Sequence, residues 1–323
     1  MKNIYIKIFI LLLVILTLNT TGCTQKSTSS PGTDDLEGTI TVSGAWAIYP
    51  MMIRWGEEYQ KLHPGVDFDI SAGGAGKGMA DALAGIVDIG MVSREIYPEE
   101  ADQGAFWVAV TKDAVFMTVN EYNPVLEELN QRGVTVEMLY RIYITGEVTT
   151  WGEVVNKPHL SEPIDLFTRS DACGAAATWA EYLGKKQEDL LGIGVYGDPG
   201  VLDAVTKDAL GLGYNNLNFV YDPQSGLPVT GAQVVPIDLN GNGQIDAEEK
   251  YDTKAQAIDA IAVGKYPSPP ARELNLVAQG KPTGLVKEFL AWILTDGQRY
   301  LEEVGYVKLP QDRIEQELSK LDQ

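Results

Sequence analysis

The stretch TITVSGAWAIYP, residues 39–50, begins the pattern that decides the fold. A β-rich run ends in a turn of small residues, and a helix follows whose apolar residues recur at helical spacing, with Pro50 suited to its first turn. The same order returns in VDFDISAGGAGKGMADAL, residues 66–83, and a third β-rich run ends at Val92-Ser93-Arg94. Three such units predict a largely parallel α/β sheet whose strands carry ligand-facing loops at their carboxyl ends.

A second informative stretch is Thr168-Arg169-Ser170-Asp171-Ala172-Cys173-Gly174, between a β-rich run at 163–167 and a helical run at 175–183. Backbone N–H groups and the positive end of the helix dipole attract anions at such a turn. The guanidinium of Arg169 adds a full charge in a fork that fits tetrahedral oxyanions. Ser170 and Asp171 are also good helix caps, so a purely structural turn is the alternative.

The first 37 residues have the features of a secreted lipoprotein precursor. Lys2 and Lys7 precede an apolar run at 8–18, which has the length of a signal-peptide core and is too short to span a bilayer. Thr20-Thr21-Gly22-Cys23 then resembles a lipobox. Residues 1–22 are therefore predicted to be a signal peptide, Cys23 the lipidated residue and 23–37 a flexible tether. A soluble secreted protein cleaved nearby is the alternative.

The charge balance excludes several classes of partner. The chain has 25 Lys and Arg against 45 Asp and Glu; without Lys2 and Lys7, 23 face 45, a net charge of −22. This argues against binding to nucleic acid and against docking on anionic membranes. The negative net charge repels an anionic ligand, and salt screens this repulsion only beyond about 8–10 Å. An anion site must therefore rely on local hydrogen-bond donors. Two cysteines provide no disulfide framework, and we expect a monomer.

Six further motifs occur in a fixed order along the chain. They are SG…YP at 43–50, DIGMVSR at 88–94, IYITGEVTTW at 142–151, RSD at 169–171, GLGY at 211–214 and FL…GQ…GYV at 289–307. Together they resemble the phosphate-binding protein of ABC-type phosphate importers, a branch of the two-lobed periplasmic binding proteins. The resemblance runs from about Gly38 to Leu309.

The resemblance implies an α/β fold of two lobes joined by two crossover strands, which close on an anion in the cleft. Lobe 1 would comprise 38–112 with 276–323, and lobe 2 would comprise 113–275. It also implies a non-enzymatic receptor, anchored by lipid on the extracytoplasmic face of the membrane, that delivers phosphate to an importer permease.

The implied ligand-binding residues lie in four loops. They are Ala45, Trp46 and Ala47; Gly73 and Gly74; Ser93 and Arg94; and Arg169, Ser170, Asp171, Cys173 and Gly174. The family surrounds phosphate with loop hydroxyls, most of which this chain lacks. Each hydrogen bond to a charged partner contributes about 1.5–3 kcal/mol, so affinity falls unless backbone N–H groups of the glycine-rich turns replace the hydroxyls. Asp171 either accepts a hydrogen bond from hydrogen phosphate, which fully ionised sulfate cannot donate, or pairs with Arg169 and orients it.

Phosphate is the first expectation, and three alternatives stand beside it. The missing hydroxyls allow another oxyanion or a small carboxylate as the ligand. They also allow a sensing or surface-interaction lipoprotein that keeps the fold without the anion site. An enzyme that uses Cys173 as a nucleophile at a helix N-terminus is the third alternative.

The segment DLNGNGQIDAEE, residues 238–249, fits the twelve-residue calcium loop position by position. Gly243 makes the turn at position six. The predicted ligands are Asp238, Asn240, Asn242, Gln244 through its backbone carbonyl, Asp246 and Glu249. A β-rich run precedes the loop, so the paired helices of an EF-hand are absent. The pattern predicts one structural Ca²⁺, and a metal-free Asx-rich turn is the alternative.

Overall fold

The computed structural model describes residues 36–322, which form one compact unit of strands and helices. The predicted signal peptide, the lipidation site Cys23 and nearly all of the tether lie outside these residues. The strands are β1 (Glu37–Gly44), β2 (Gly65–Ala72), β3 (Ile89–Val92), β4 (Ala105–Asn120), β5 (Asp165–Arg169), β6 (Ile193–Val195), β7 (Gly211–Asn216), β8 (Ala232–Val234) and β9 (Ala271–Gln279).

Thirteen α-helices connect and cover the strands of the described part. They are α1 (Tyr49–Leu62), α2 (Ala75–Leu83), α3 (Pro98–Asp102), α4 (Leu126–Arg132), α5 (Val136–Tyr140), α6 (Trp151–Val154), α7 (Gly174–Tyr182), α8 (Gly197–Lys207), α9 (Leu217–Val220), α10 (Lys254–Ala262), α11 (Gly284–Leu294), α12 (Leu301–Val304) and α13 (Gln311–Asp322). None of the helices within 36–322 combines the length and the hydropathy that a membrane span requires.

The first strand–turn–helix units form as their sequence patterns predict, with ends shifted by up to two residues. Helix α1 has Pro50 in its first turn and buries Met51, Trp55 and Tyr59 on one face. These residues lie four apart and therefore share a side of a helix with 3.6 residues per turn. This apolar face packs α1 against the sheet. The loop between β1 and α1 therefore lies at the carboxyl end of β1.

The strands form a curled sheet in the order β2-β1-β3-β9-β4-β7-β5-β6, with β8 also paired to β4. The expectation of a largely parallel sheet is correct only at the two sides. Strand β1 is parallel to β2 and β3, and β5 is parallel to β6 and β7. The middle pairings, β3 with β9, β9 with β4 and β4 with β7, are antiparallel. The difference arises because β4 and β9 run between the two halves in opposite directions.

Strand β4 belongs to both halves of the molecule. Its segment 105–114 pairs with β9, whereas 115–119 pairs with β7 and 118–120 with β8. The long strand therefore leaves one lobe and enters the other, and β9 runs back beside it. The prediction of two lobes joined by two crossover strands is confirmed, while the boundaries at 112/113 and 275/276 stay predictions.

Three groups of buried apolar side chains stabilise this arrangement. The first core combines residues from 40–110 with residues from 274–321, including Trp55 and Phe289. The second core uses only 115–235 and contains Trp151 and Trp179. A third group, the hinge core, comprises fourteen buried residues between Ala114 and Val307, and the rings of Phe116 and Tyr266 pack within it at a tilt of 36° with centroids 4.6 Å apart.

The C-terminal helix α13 is attached to the crossover strand by a buried carboxylate. Strand β4 has a register shift between Ala109 and Thr111, and the N–H of Ala109 donates to Oε2 of Glu317 at 3.0 Å. Glu317 is fully buried and also pairs with Arg313 and with Lys320, the latter at 2.7 Å. Glu317 thus satisfies a backbone donor that the register shift would otherwise leave without a partner.

We expect Glu317→Ala to lower the free energy of unfolding by about 2–4 kcal/mol, because it leaves the buried N–H of Ala109 without an acceptor. Glu315→Ala, on the exposed face of the same helix, should change stability by less than about 0.5 kcal/mol. Urea unfolding of both variants measures the difference. Equal stability of the two would show that Glu317 does not anchor the helix.

Candidate functional site

Loops at the carboxyl ends of six strands meet between the two lobes. Strands β1, β2 and β3 end next to 45–47, 73–74 and 93 in the first lobe. Strands β5, β6 and β7 end at or next to 169, 196–198 and 215–216 in the second. Carboxyl ends of parallel strands share one edge of a sheet, and that edge is where α/β sheets bind ligands.

Direct contacts join these loops across the lobes. The N–H of Gly76 donates to the carbonyl of Ala172 at 2.9 Å. Gly74 lies so close to Asp171 that an added Cβ would be 2.8 Å from Oδ2. Likewise a Cβ at Gly174 would overlap Ser93. Only glycine allows the backbones to approach this closely, which gives these positions a steric reason to lack side chains.

Trp46 extends the contact from the first loop to the opposite lobe. Its ring borders Gly197, where an added Cβ would lie 3.1 Å from Cε2. Tyr196 and Phe219 meet the same ring edge-on, with centroids 6.2 and 6.3 Å away. Trp46 therefore packs as an interlobe contact within this structure.

Arg169 lies at the centre of the site, and its side chain is fully buried. Its Nε and Nη2 donate to the two oxygens of Asp171 at 2.8 and 2.6 Å, and Nη1 donates to Oδ2 of Asp198 at 2.6 Å. Burial alone lowers the pKa of Arg169, but Asp198 and Asp171 outweigh it and the pKa is raised. The guanidinium therefore stays charged and is held in one orientation.

Asp198 is a site residue that the sequence reasoning missed. It is fully buried, and its carboxylate accepts from the backbone N–H of Asn216 at 2.9 Å and from the Asn216 side chain at 2.7 Å. Helix α8 begins at Gly197 and has Asp198 in its first turn. An acidic residue near a helix start is a weak signal, because solvent-exposed caps have the same pattern.

Arg272 and Asp113 form a second buried pair behind the first, on the crossover strands. Nε of Arg272 donates to the carbonyl of Ser93 at 3.2 Å, and Nη2 donates to Oδ1 of Asn216. Oδ2 of Asp113 is 3.7 Å from Arg272 Nη2, beyond hydrogen-bond distance. Burial raises the pKa of Asp113 to about 6 and lowers the pKa of Arg272. Arg272 thereby links the two lobes next to the site.

Not every predicted ligand residue faces the convergence point. Ser170 is exposed. Arg94 forms a two-pronged pair with Glu100, at 2.9 and 2.6 Å, and its guanidinium lies 4.2 Å from the ring centre of Tyr97. Ala45, Ala47, Gly73, Gly74, Ser93, Arg169, Asp171, Cys173 and Gly174 are buried where the loops meet. All twelve ligand assignments remain predictions.

The glycine pair does not supply free donors in this arrangement. The N–H groups of Gly73 and Gly74 both donate to the carbonyl of Gly44, at 2.8 and 3.0 Å. They are therefore engaged within the first lobe. The other donors at this point are Ser93, Arg169 and the first turns of α2 and α7, of which the N–H of Gly76 is engaged by Ala172 and that of Ala176 by Sγ of Cys173.

Comparison with known proteins agrees with this architecture. A family model described as a PBP superfamily domain matches residues 28–297. This chain belongs to the PBP superfamily. The phosphate-binding protein PstS of Methanocaldococcus jannaschii is 27% identical, with 96% of this chain and 93% of that protein aligned. The protein of the same name from Bacillus subtilis is 24% identical, with 90% and 87% aligned.

Two solved structures share the fold. A phosphate ABC transporter substrate-binding protein from Clostridium perfringens, solved with bound phosphate, has a TM-score of 0.68 at 22% identity, covering 84% of this chain and all of that one. An ABC-type phosphate transport receptor from Vibrio cholerae has a TM-score of 0.60 at 21% identity, with the same coverage. The resemblance that the six sequence motifs indicate is confirmed.

Cys173 has a structural position in this PBP-superfamily chain. It is the N-cap of α7, where its Sγ accepts from the N–H of Ala176 at 3.4 Å. Burial raises the pKa of the Cys173 thiol to about 12. The thiolate is the reactive form of cysteine, so a thiol with this pKa is a poor nucleophile at neutral pH.

Two cavities flank the interlobe contacts, with volumes of about 620 and 630 Å³. Arg94, Glu95 and Glu181 line both, while Arg272 lines only the first. Arg169 lines neither, and its side chain has no exposed surface. A ligand can therefore reach Arg169 only if the lobes separate. Burial and the charge of Glu95 across the cleft raise the pKa of Glu181.

The pKa of Asp113 predicts a pH dependence of stability. The folded chain binds this proton more tightly than the unfolded chain, whose pKa is near 3.8, so the stabilisation is present below about pH 4 and is lost as pH rises through about 6. The asparagine introduced in Asp113→Asn cannot titrate, so this variant lacks the effect. The difference in free energy of unfolding, wild type minus variant, should therefore fall by about 2–3 kcal/mol as pH rises from about 4 through about 6.

Urea unfolding at several pH values between about 4 and 7 measures this difference. A difference that stays constant with pH for Asp113→Asn would exclude Asp113 as the group that titrates.

Proposed function

We propose that this protein is a lipid-anchored extracytoplasmic receptor that captures phosphate between its lobes and delivers it to an ABC importer. The observation that carries the proposal is the buried Arg169, held by two carboxylates where loops from both lobes meet. Relatives named for phosphate binding align over nearly the full length of both chains, which supports the same activity here.

The proposed capture begins with the lobes apart, because Arg169 has no exposed surface when they are together. Asp171 and Asp198 occupy three of the five guanidinium N–H groups and fix its plane. The two remaining N–H groups are then available to donate to an oxyanion. Because the Arg169 side chain is already held in one conformation, binding costs it no further conformational entropy. Ser93 and the first turns of α2 and α7 supply further donors on closure.

The local charge favours a protonated oxyanion. Arg169 contributes one positive charge, whereas Asp171 and Asp198 contribute two negative charges at hydrogen-bond distance. A ligand with a proton to donate, such as hydrogen phosphate, can make a hydrogen bond to Asp171 and reduce the repulsion. Sulfate has no such proton and would leave two carboxylate charges facing it.

One observation favours a different ligand as the second candidate. The first loop presents Ala45, Trp46 and Ala47, and the Gly73 and Gly74 N–H groups are engaged by Gly44. The site therefore has fewer donors than a fully surrounded phosphate requires. Another oxyanion or a small carboxylate ligand, which demands fewer hydrogen bonds, fits this shortage. A sensing role without transport is compatible with the same binding site.

Titration calorimetry with phosphate, sulfate and arsenate tests the proposal. We expect the wild type to bind phosphate at micromolar concentration or below and to reject sulfate. Arg169→Lys keeps the charge but loses the fork, so it should weaken phosphate binding by about 10- to 100-fold. Arg141→Lys, a half-exposed arginine of the second lobe paired with Glu147, is the matched control and should bind as the wild type does.

Folding of each variant is checked by its unfolding transition. A folded wild type that ignores phosphate would overturn phosphate as the ligand and move the search to carboxylates. Unchanged affinity in a folded Arg169→Lys would instead remove Arg169 from the binding site, whatever the ligand.

The proposed lipid anchor makes a separate prediction. Cys23→Ala removes the thiol that would carry the lipid. Each buried CH₂ of a lipid chain contributes about 0.8 kcal/mol to membrane binding, so the variant should move from the membrane fraction to the soluble fraction. Cys173→Ala is a matched control and should stay with the membrane. Cell fractionation and mass spectrometry of the mature N-terminus measure both. A Cys23→Ala protein that remains membrane-bound would contradict anchoring at this residue.

A further inference from the structure

The segment 238–249, here called the DLN loop, is separate from the interlobe cleft. Its twelve residues match the calcium pattern at every ligand position. The structure brings three side chains of that pattern into contact. Nδ2 of Asn240 and Nδ2 of Asn242 both donate to Oδ2 of Asp246, at 2.8 and 3.3 Å. The third, fifth and ninth positions thus meet at one point.

Two carboxylates close the inner side of the DLN loop, and both are buried. Asp238 is 4% exposed and Glu249 is 2% exposed. Within residues 36–322, no lysine, arginine or histidine lies at salt-bridge distance from either of them. Their oxygens accept hydrogen bonds from backbone N–H groups of the loop itself at 2.8–3.0 Å, from Gly241 and Gly243 to Asp238 and from Leu239 and Asp246 to Glu249. These hydrogen bonds leave both negative charges without a positive partner among the described residues, and buried charges are ordinarily paired or bound to a metal.

The outer side of the loop is open. Asn240, Asn242 and Asp246 are exposed, so a cation can enter from solvent and reach the buried pair. The donors are all oxygens: three carboxylates, two side-chain amides and the carbonyl of Gln244. Hard cations prefer this set, and six protein oxygens suit Ca²⁺ better than Mg²⁺, which usually keeps several waters and takes only one or two carboxylates.

We propose that the DLN loop is a Ca²⁺-binding site in which Asp238 and Glu249 are the buried ligands and Asn240, Asn242 and Asp246 complete the shell. The site is independent of phosphate capture and requires no helix–loop–helix pair.

The surroundings of the DLN loop indicate what the ion stabilises. The N–H of Ile245 donates to the carbonyl of Gln131 at 2.9 Å, and the N–H of Asp238 donates to the carbonyl of Val134 at 3.2 Å. Two residues beyond Glu249, Tyr251 enters the hinge core, where its carbonyl accepts from the hydroxyl of Tyr221. A cation in the loop therefore fixes the segment that connects the second lobe to the packing under the crossover strands.

Calorimetry and thermal unfolding of the full chain, stripped of metal by a chelator and kept in phosphate-free buffer, test the proposal. We expect one Ca²⁺ per chain with a Kd of about 10⁻⁵–10⁻³ M, weaker binding of Mg²⁺, and a Tm that rises with Ca²⁺ concentration. Glu249→Gln should weaken Ca²⁺ binding at least about tenfold. Glu248→Gln, an exposed neighbour paired with Lys265, should bind within about twofold of the wild type.

Asn242→Ala keeps the test decisive if Glu249→Gln does not fold, because Asn242 is exposed and its loss leaves the buried pair intact. It too should bind Ca²⁺ several-fold more weakly. The proposal is overturned if the folded, metal-free wild type shows neither heat nor a Tm shift up to about 10 mM Ca²⁺, well above the Kd of weak extracellular sites. It is also overturned if folded Glu249→Gln or Asn242→Ala binds as tightly as the wild type.

Discussion

The pairing of Arg169 with Asp171 and Asp198 is the interaction on which the site depends. A guanidinium without exposed surface is tolerable only because carboxylates and their hydrogen-bonded partners surround it. Those partners come from three strand ends of the second lobe, and Asn216 connects them to Arg272 on the returning crossover strand. The hydrogen bonds that balance the charge of Arg169 are therefore coupled to the position of the crossover strands.

The same coupling explains why small residues line the cleft. Where Gly76 donates to Ala172 and Gly174 faces Ser93, the two backbones touch without side chains between them. Close backbone approach excludes water from the arginine and strengthens every electrostatic interaction around it. In return the chain gives up most of the loop hydroxyls that the resemblance implies for a phosphate site. Under the proposed function, recognition therefore depends more on charge geometry and ligand protonation than on the number of donors.

Local sequence patterns predicted those parts of the fold that are determined by residues close together in the chain. The alternation of strands and helices and the turn after β5 follow from periodicity and small-residue turns, whereas the two-lobed fold was implied by the family resemblance of the ordered motifs. The sequence could not reveal Asp198 or Arg272, because their partners lie 29 and 56 residues away and only the folded sheet brings them together. It also placed Ser170 and Arg94 in the ligand shell by motif position, whereas the structure exposes the former and pairs the latter with Glu100. The antiparallel middle of the sheet was missed for the same reason as Asp198, since pairing between distant strands has no local pattern.

The composition of the three cores has a consequence for how the polypeptide is made. The second core draws only on residues 115–235, so all of its members have been synthesised well before the chain ends. The first core needs strand β9 and the helices after it as well as the opening strands, and its two parts are separated by more than 150 residues. Since a ribosome adds residues from the N-terminus onward, the first lobe cannot be completed until translation has passed α13, and its early strands must wait with their apolar faces uncovered.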